Sequence, residues 1–168
     1  MLGGVTLRLI ITDTDTSFLK TNSEDMVITN NDKIRNCIGC FGCWIKTPGK
    51  CVITDGFEEM GKYFSKCTEL ILVSKCTYGS ASPFVKNVLD RAISYIHPDF
   101  TIRNGEMHHK RRYSNKIKLS AYYYGENILP EEKETAKRLM QANVINYDGE
   151  VGKLAFFQSL EELRGVNL

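Results

Sequence analysis

The chain has 168 residues, enough for one domain and too few for two, and a domain of that length folds without disulfide or metal staples. Its 42% hydrophobic and 25% charged residues exclude a disordered or fibrous chain, and a formal charge of +2 gives no general attraction to nucleic acid.

The N-terminal apolar stretch is interrupted by Arg8 and closed by Asp13 and Asp15. It is too short to cross a bilayer and lacks a small-residue cleavage site, so neither a membrane span nor a signal peptide is expected. Within it, residues 5–12 read as a buried strand rich in Leu, Ile and Val. Residues 13–25 are polar and show no helical period, and 26–29 form a second short strand closed by Asn30, Asn31 and Asp32. A cysteine-rich loop spans 37–51. Asp55 followed by Glu58 predicts a helix start of capping-box type, with Phe57, Met60, Tyr63 and Phe64 on one face. Residues 69–74 are a continuous apolar run of strand length. Ser82 and Pro83 open a helix as N-cap and first-turn residue, its apolar face carrying Phe84, Val85, Val88, Leu89, Ala92 and Ile96. A strand over 117–123 follows. Pro130, Glu131 and Glu132 then start a helix that turns Ala136, Leu139 and Met140 inward. A last strand covers 153–157, and 159–163 form a short terminal helix.

Strand alternating with helix predicts one α/β domain over 1–168, a doubly wound parallel sheet of five strands. The first crossover departs from that pattern. Parallel neighbours need a connection of a dozen or more residues, usually helical. Residues 13–25 barely reach that length without amphipathicity, so the first crossover helix is expected to be shortened or missing.

Four of the six cysteines lie at Cys37, Cys40, Cys43 and Cys51, a C-x2-C-x2-C-x7-C spacing. Two-residue gaps let thiolates curl toward one point, and Gly39, Gly42 and the Pro48-Gly49 turn free the backbone to bring Cys51 back. Four converging thiolates suit a [4Fe–4S] cluster or a structural zinc. Packed or redox-active thiols fit the same residues, and all three readings stay open. No export signal precedes them, so a reducing, cytoplasmic setting is expected, with the cysteines outside disulfides. Cys67 ends an amphipathic segment and is expected in the core.

The run from Ser74 through Tyr78, Gly79, Ser80, Ser82 and Pro83 to Asn87, Asp90 and Arg91 leaves the carboxyl end of a strand and enters a helix. That edge of a doubly wound sheet is where ligands sit. Gly79 lets backbone approach a flat ring, and Tyr78 can stack on it. A compact cysteine motif, an apolar strand and then Tyr-Gly-x-x-Ser-Pro-x-x-Lys-Asn-x-x-Asp-Arg resemble the NAD(P)H-dependent FMN reductase and iron–sulfur flavoprotein families. The resemblance spans about 37–143 and is most specific at 37–51 and 78–91. It implies a flavodoxin-like fold, FMN with its isoalloxazine against Tyr78, Gly79, Ser80 and Ser82, and a [4Fe–4S] cluster on the four cysteines. It further implies an FMN-dependent oxidoreductase that takes hydride from NAD(P)H and passes electrons to a small-molecule or protein acceptor. A non-enzymatic module that uses the cysteine loop to bind metal or sense thiol state is the competing class.

Two features qualify the resemblance. The family's phosphate loop after the first strand is replaced by Thr12-Asp13-Thr14-Asp15-Thr16-Ser17, which has no glycine and sets two carboxylates where a dianion would lie. The segment from Glu106 through His108, His109, Lys110, Arg111 and Arg112 to Tyr113 reads as a solvated loop. A sharper reading makes it a lid or a phosphate patch for a neighbouring subunit. It has no evident partner in its own domain, so a homo-oligomer, dimer or tetramer, is expected. Nucleic-acid and membrane partners are not. Alternation puts Tyr122 and Tyr124 on one face and Tyr123 on the other, with Tyr124 and Gly125 as a second flavin wall. Asp90 and Arg91 read as a helix-surface or inter-subunit ion pair.

Overall fold

The computed structural model describes residues 7–168, so positions 5 and 6 of the expected first strand lie outside the described residues. In chain order the strands are β1 (Leu7–Thr12), β2 (Met26–Thr29), β3 (Cys67–Lys75), β4 (Ile96–Arg103), β5 (Glu106–Arg111), β6 (Lys118–Tyr124) and β7 (Glu150–Phe157). The helices are α1 (Gly42–Ile45), α2 (Met60–Lys66), α3 (Pro83–Arg91) and α4 (Pro130–Tyr147).

Five strands form one parallel sheet in the order β2-β1-β3-β6-β7. This is the flavodoxin-like order, with its switch point between β1 and β3. In the two central strands apolar residues run continuously because both faces are buried. Leu9, Ile11, Leu70 and Leu72 enter one core, and Ile10, Ile71 and Val73 the other.

The first core lies under α2, α3 and α4. Ser82 caps α3, its hydroxyl accepting the Val85 N–H at 3.5 Å, and Pro83 occupies the first turn. Glu132 accepts the Leu129 N–H at 2.9 Å to open α4. Ala136, Met140 and Val144 make the buried stripe of α4, while Leu139, expected inward, is largely exposed. The four-residue rhythm carries the stripe, and position 139 falls beside it. Asp55 and Glu58 cap a turn ahead of α2 and not α2 itself, with Asp55 accepting the Phe57 N–H at 3.0 Å and Glu58 the Gly56 N–H at 2.8 Å.

The opposite face has no α-helix among the described residues. The first crossover holds a three-residue 3₁₀ turn (Thr16–Phe18), and the segment after β7 holds another (Glu161–Leu163). Leu19 and Leu163 close the second core, with Phe18, Leu160, Val166 and Leu168 packed at its margin. Arg8 donates to the Leu168 carbonyl at 3.2 Å, and Lys20 pairs with Asn167.

The basic segment is not a loop. It belongs to an antiparallel hairpin, β4 with β5, turned at Asn104-Gly105 with φ of 52° and 83°. Asn-Gly supplies two left-handed residues for a tight hairpin turn. Arg103 and Arg111 reach Asp148 at 3.7 and 3.5 Å, and His108 bonds Asn146 at 3.2 Å, so the segment finds partners in its own chain. Among the described residues, no helix is long and apolar enough to cross a membrane.

Candidate functional site

Cys37, Cys40, Cys43 and Cys51 line one cavity of about 310 Å³, with Ile38 and Trp44 from the loop, Ile53 just after it, Asp90 from α3 and Ile93 from the 3₁₀ turn that follows. Cys37 and Cys40 are exposed, Cys51 half-buried and Cys43 buried. Burial pushes the Cys43 thiol up, and the neighbouring Cys51, Cys37 and Cys40 add to it. Gly42 packs closely here, and a Cβ at that position would stand 2.6 Å from a Val52 methyl carbon and force that side chain to shift. Among the described residues, no three His, Cys, Asp or Glu side chains gather tightly enough to hold a single metal ion.

Arg91 fixes the loop around this cavity. It is not a surface ion-pair residue, being 1% exposed. Its guanidinium donates to both oxygens of Asp55 at 2.7 and 3.0 Å, to the Arg35 carbonyl at 2.8 Å and to the Ile53 carbonyl at 3.0 Å. Asp55 also accepts the Arg35 N–H at 2.8 Å. Burial pushes the Asp55 carboxyl up, but the Arg91 bonds and the Arg35 and Phe57 N–H groups outweigh it and hold the group down at about 2. Cys51 lies close enough to help hold the guanidinium charged. Asp90, expected as Arg91's companion, instead pairs with Lys86 on the surface at 2.8 Å.

At the other end of α3 lie the residues expected to meet a flavin. Thr77 and Ser80 exchange two backbone bonds of 2.9 Å, closing a turn whose central residues, Tyr78 and Gly79, have φ of 51° and 76°. Tyr78 is 89% exposed. Gly79 presses against α4, where a Cβ would come 2.6 Å from the Glu132 carbonyl oxygen. Ser80 lines a cavity of about 260 Å³ between α3 and α4. Tyr124 and Gly125 line another of about 580 Å³ with Lys75, Cys76 and Glu132. Tyr78 stands outside all three cavities, and Ser82 is engaged as a cap, its N–H donated to Ser74 Oγ at 2.8 Å. The six residues therefore sit on one sheet edge without sharing one pocket.

The residue that joins this edge is Asp13. Its carboxylate accepts the Ser74 hydroxyl at 3.2 Å, the Lys75 N–H at 3.0 Å and the Tyr124 hydroxyl at 3.1 Å, tying the ends of β1, β3 and β6. Burial, then the adjacent Asp13 charge, push the Tyr124 phenol far up, so it remains a donor. Tyr122 and Tyr124 do face the second core and Tyr123 the first, as alternation predicts. Cys67 is in the core, its thiol pushed up to about 12 chiefly by burial.

No family model matches the chain, and no curated protein does. Among solved structures it resembles an azoreductase from Bacillus anthracis at a TM-score of 0.56 and 9% identity, over 91% of this chain and 87% of that one. It also overlaps a flavodiiron core from Synechocystis at a TM-score of 0.45 and 9% identity, over 97% of this chain and 34% of that one, a likeness too slight to add to the argument. At this identity the azoreductase speaks for the fold, and the fold is flavodoxin-like.

Proposed function

We propose that the protein is a flavodoxin-like oxidoreductase whose electron-carrying centre is the four-cysteine cavity, working with a flavin ring bound at the strand-end edge by the Tyr78–Gly79 turn. The observation that carries this reading is the gathering of Cys37, Cys40, Cys43 and Cys51 round one cavity. Four cysteines without a grouping tight enough for a single ion favour a cluster over zinc, which needs its ligands about 2.3 Å from one point. A [4Fe–4S] cluster held by the four thiolates would supply one-electron transfer. Arg91 beside Cys51 offsets the negative charge of thiolates, while Ile38, Trp44 and Ile53 limit water. Helix α3, nine residues and about 13 Å long, runs between the Tyr78 turn and this cavity. NAD(P)H is the donor this reading favours, with a small molecule or protein as acceptor.

FMN fits only in part. The exposed Tyr78 ring can stack on an isoalloxazine, but the end of β1 meets a phosphate with a carboxylate. That same feature favours the second reading, a non-enzymatic thiol or metal module. The reading also includes self-association. Phe41 stacks on Trp44, Trp44 meets His109 and His109 meets Phe100 at tilted angles, and Phe41, Phe100, Ile102 and Met107 are each more than half exposed. A connected apolar face of this kind marks a contact site.

Anaerobic purification with iron and sulfide analysis and a visible spectrum tests the proposal. About four irons per chain are expected, lost in Cys51→Ala. Protein without iron or flavin after reconstitution overturns the oxidoreductase reading and leaves the thiol module. Light scattering at the 19.1 kDa monomer mass at micromolar concentration overturns self-association.

A further inference from the structure

The strand order places the ligand crevice between the carboxyl ends of β1 and β3. An anion held there would need free N–H or hydroxyl donors and no opposing charge. This chain offers the reverse. The Lys75 N–H, the Ser74 hydroxyl and the Tyr124 hydroxyl all point to the Asp13 carboxylate, and the Ser82 N–H at the start of α3 is given to Ser74 Oγ. After β1, the Thr14 N–H donates to Thr12 Oγ1 at 3.1 Å and the Ser17 N–H to the Asp15 carboxylate at 2.7 Å. Phe18 and Leu19 donate to the Asp15 and Thr16 carbonyls. Where a long helix would turn its free amides to the crevice, a three-residue 3₁₀ turn has its own internal cap.

We infer that Asp13 is a specificity-determining residue that makes the switch-point crevice reject dianionic ligands, so that it takes an uncharged ring compound in preference to its phosphate ester. Resting on the flavin reading above, this means riboflavin in preference to FMN. The donors a phosphate would use are already engaged, and displacing Asp13 would uncouple the ends of three strands. A neutral ribityl chain needs neither the donors nor the space a phosphate claims.

Fluorescence-quenching titrations with riboflavin and with FMN, on the full chain at low and high salt, test this. Riboflavin is expected to bind at least as tightly as FMN. The FMN-to-riboflavin affinity ratio should rise with salt, because screening weakens a repulsion. In Asp13→Asn, with the fold checked by circular dichroism, the ratio should rise about tenfold as the charge is removed. FMN bound tenfold more tightly than riboflavin by the unmodified protein, or a ratio that falls or stays flat with salt, overturns the inference. A ratio unchanged in a folded Asp13→Asn variant also overturns it. The salt arm decides the matter if the variant does not fold. Binding of neither flavin overturns the flavin reading and, with it, this inference.

Discussion

The two ends of α3 handle charge in opposite ways. At its C-terminal end a buried arginine takes one carboxylate and two carbonyls beside the cysteine cavity, so a carboxylate is held charged there. At its N-terminal end a carboxylate takes one backbone N–H and two hydroxyls, so an added negative charge meets repulsion. One short helix thus separates a buried arginine–carboxylate pair beside four cysteines from a carboxylate that ties three strand ends. The fold alone sets where ligands can sit, and the local ion pairing sets which charge is admitted.

The sharpest test of the contrast is to remove each carboxylate in turn. Asp55→Ala leaves Arg91 charged and buried, at a cost of about 3–5 kcal/mol in urea unfolding. Asp13→Ala strands donors that solvent can partly reach and should cost about 1–3 kcal/mol. Equal losses would erase the distinction. Acid titration isolates the first pair. Asp55 is depressed from 3.8 to about 2 in the fold, so its stabilisation is complete above the unfolded value and lost as pH falls toward about 2. Roughly 2 kcal/mol should disappear across that window, and Asp55→Asn should flatten the slope. At the other end, Gly79→Ala meets both a left-handed φ of 76° and the Glu132 carbonyl, and should cost about 1–2 kcal/mol in thermal unfolding. The mildest probe is alkylation of the apo protein followed by mass spectrometry. Exposed Cys37 and Cys40 should label first and Cys67 last, its buried thiol resisting ionisation. Early labelling of Cys43 would mean a looser loop than Arg91 implies.

Much of this was legible in the sequence. Apolar runs marked the central strands, Ser82-Pro83 and Pro130 marked two helix starts, and a polar first crossover announced its lack of a helix. The cysteine spacing led to the expectation of thiolates converging on one point, and the four residues line one cavity without a grouping tight enough for a single ion. Other features hid behind charge. Arg91 follows Val85 and Val88 at three-residue steps on the inner face of α3, yet its charge suggested the surface. Asn104-Gly105 lies between Phe100 and Ile102 on one side and Met107 and His109 on the other, a hairpin pattern masked by the cations around it. Asp13 could be read as hostile to phosphate, but its partners are 61, 62 and 111 positions away, beyond any local pattern. The packing of Gly79 against Glu132 of α4 likewise joins residues from across the fold.

The helix-free face of the sheet gives the molecule uneven cooperativity. Three helices interlock over one core, while the other is closed by two 3₁₀ turns and a strap of residues 158–168 held largely at its edges. A segment with so few buried side chains opens at lower free energy than the strands beneath it. Its amides should exchange with deuterium well before those of β1 and β3, through sub-global openings that leave the rest folded. Each opening uncovers Ile10, Ile71, Val73 and Tyr122 together. Local opening of the strap, short of global unfolding, is thus the route by which this apolar face would meet solvent, and hydrogen exchange that is uniform across strap and strands would refute it.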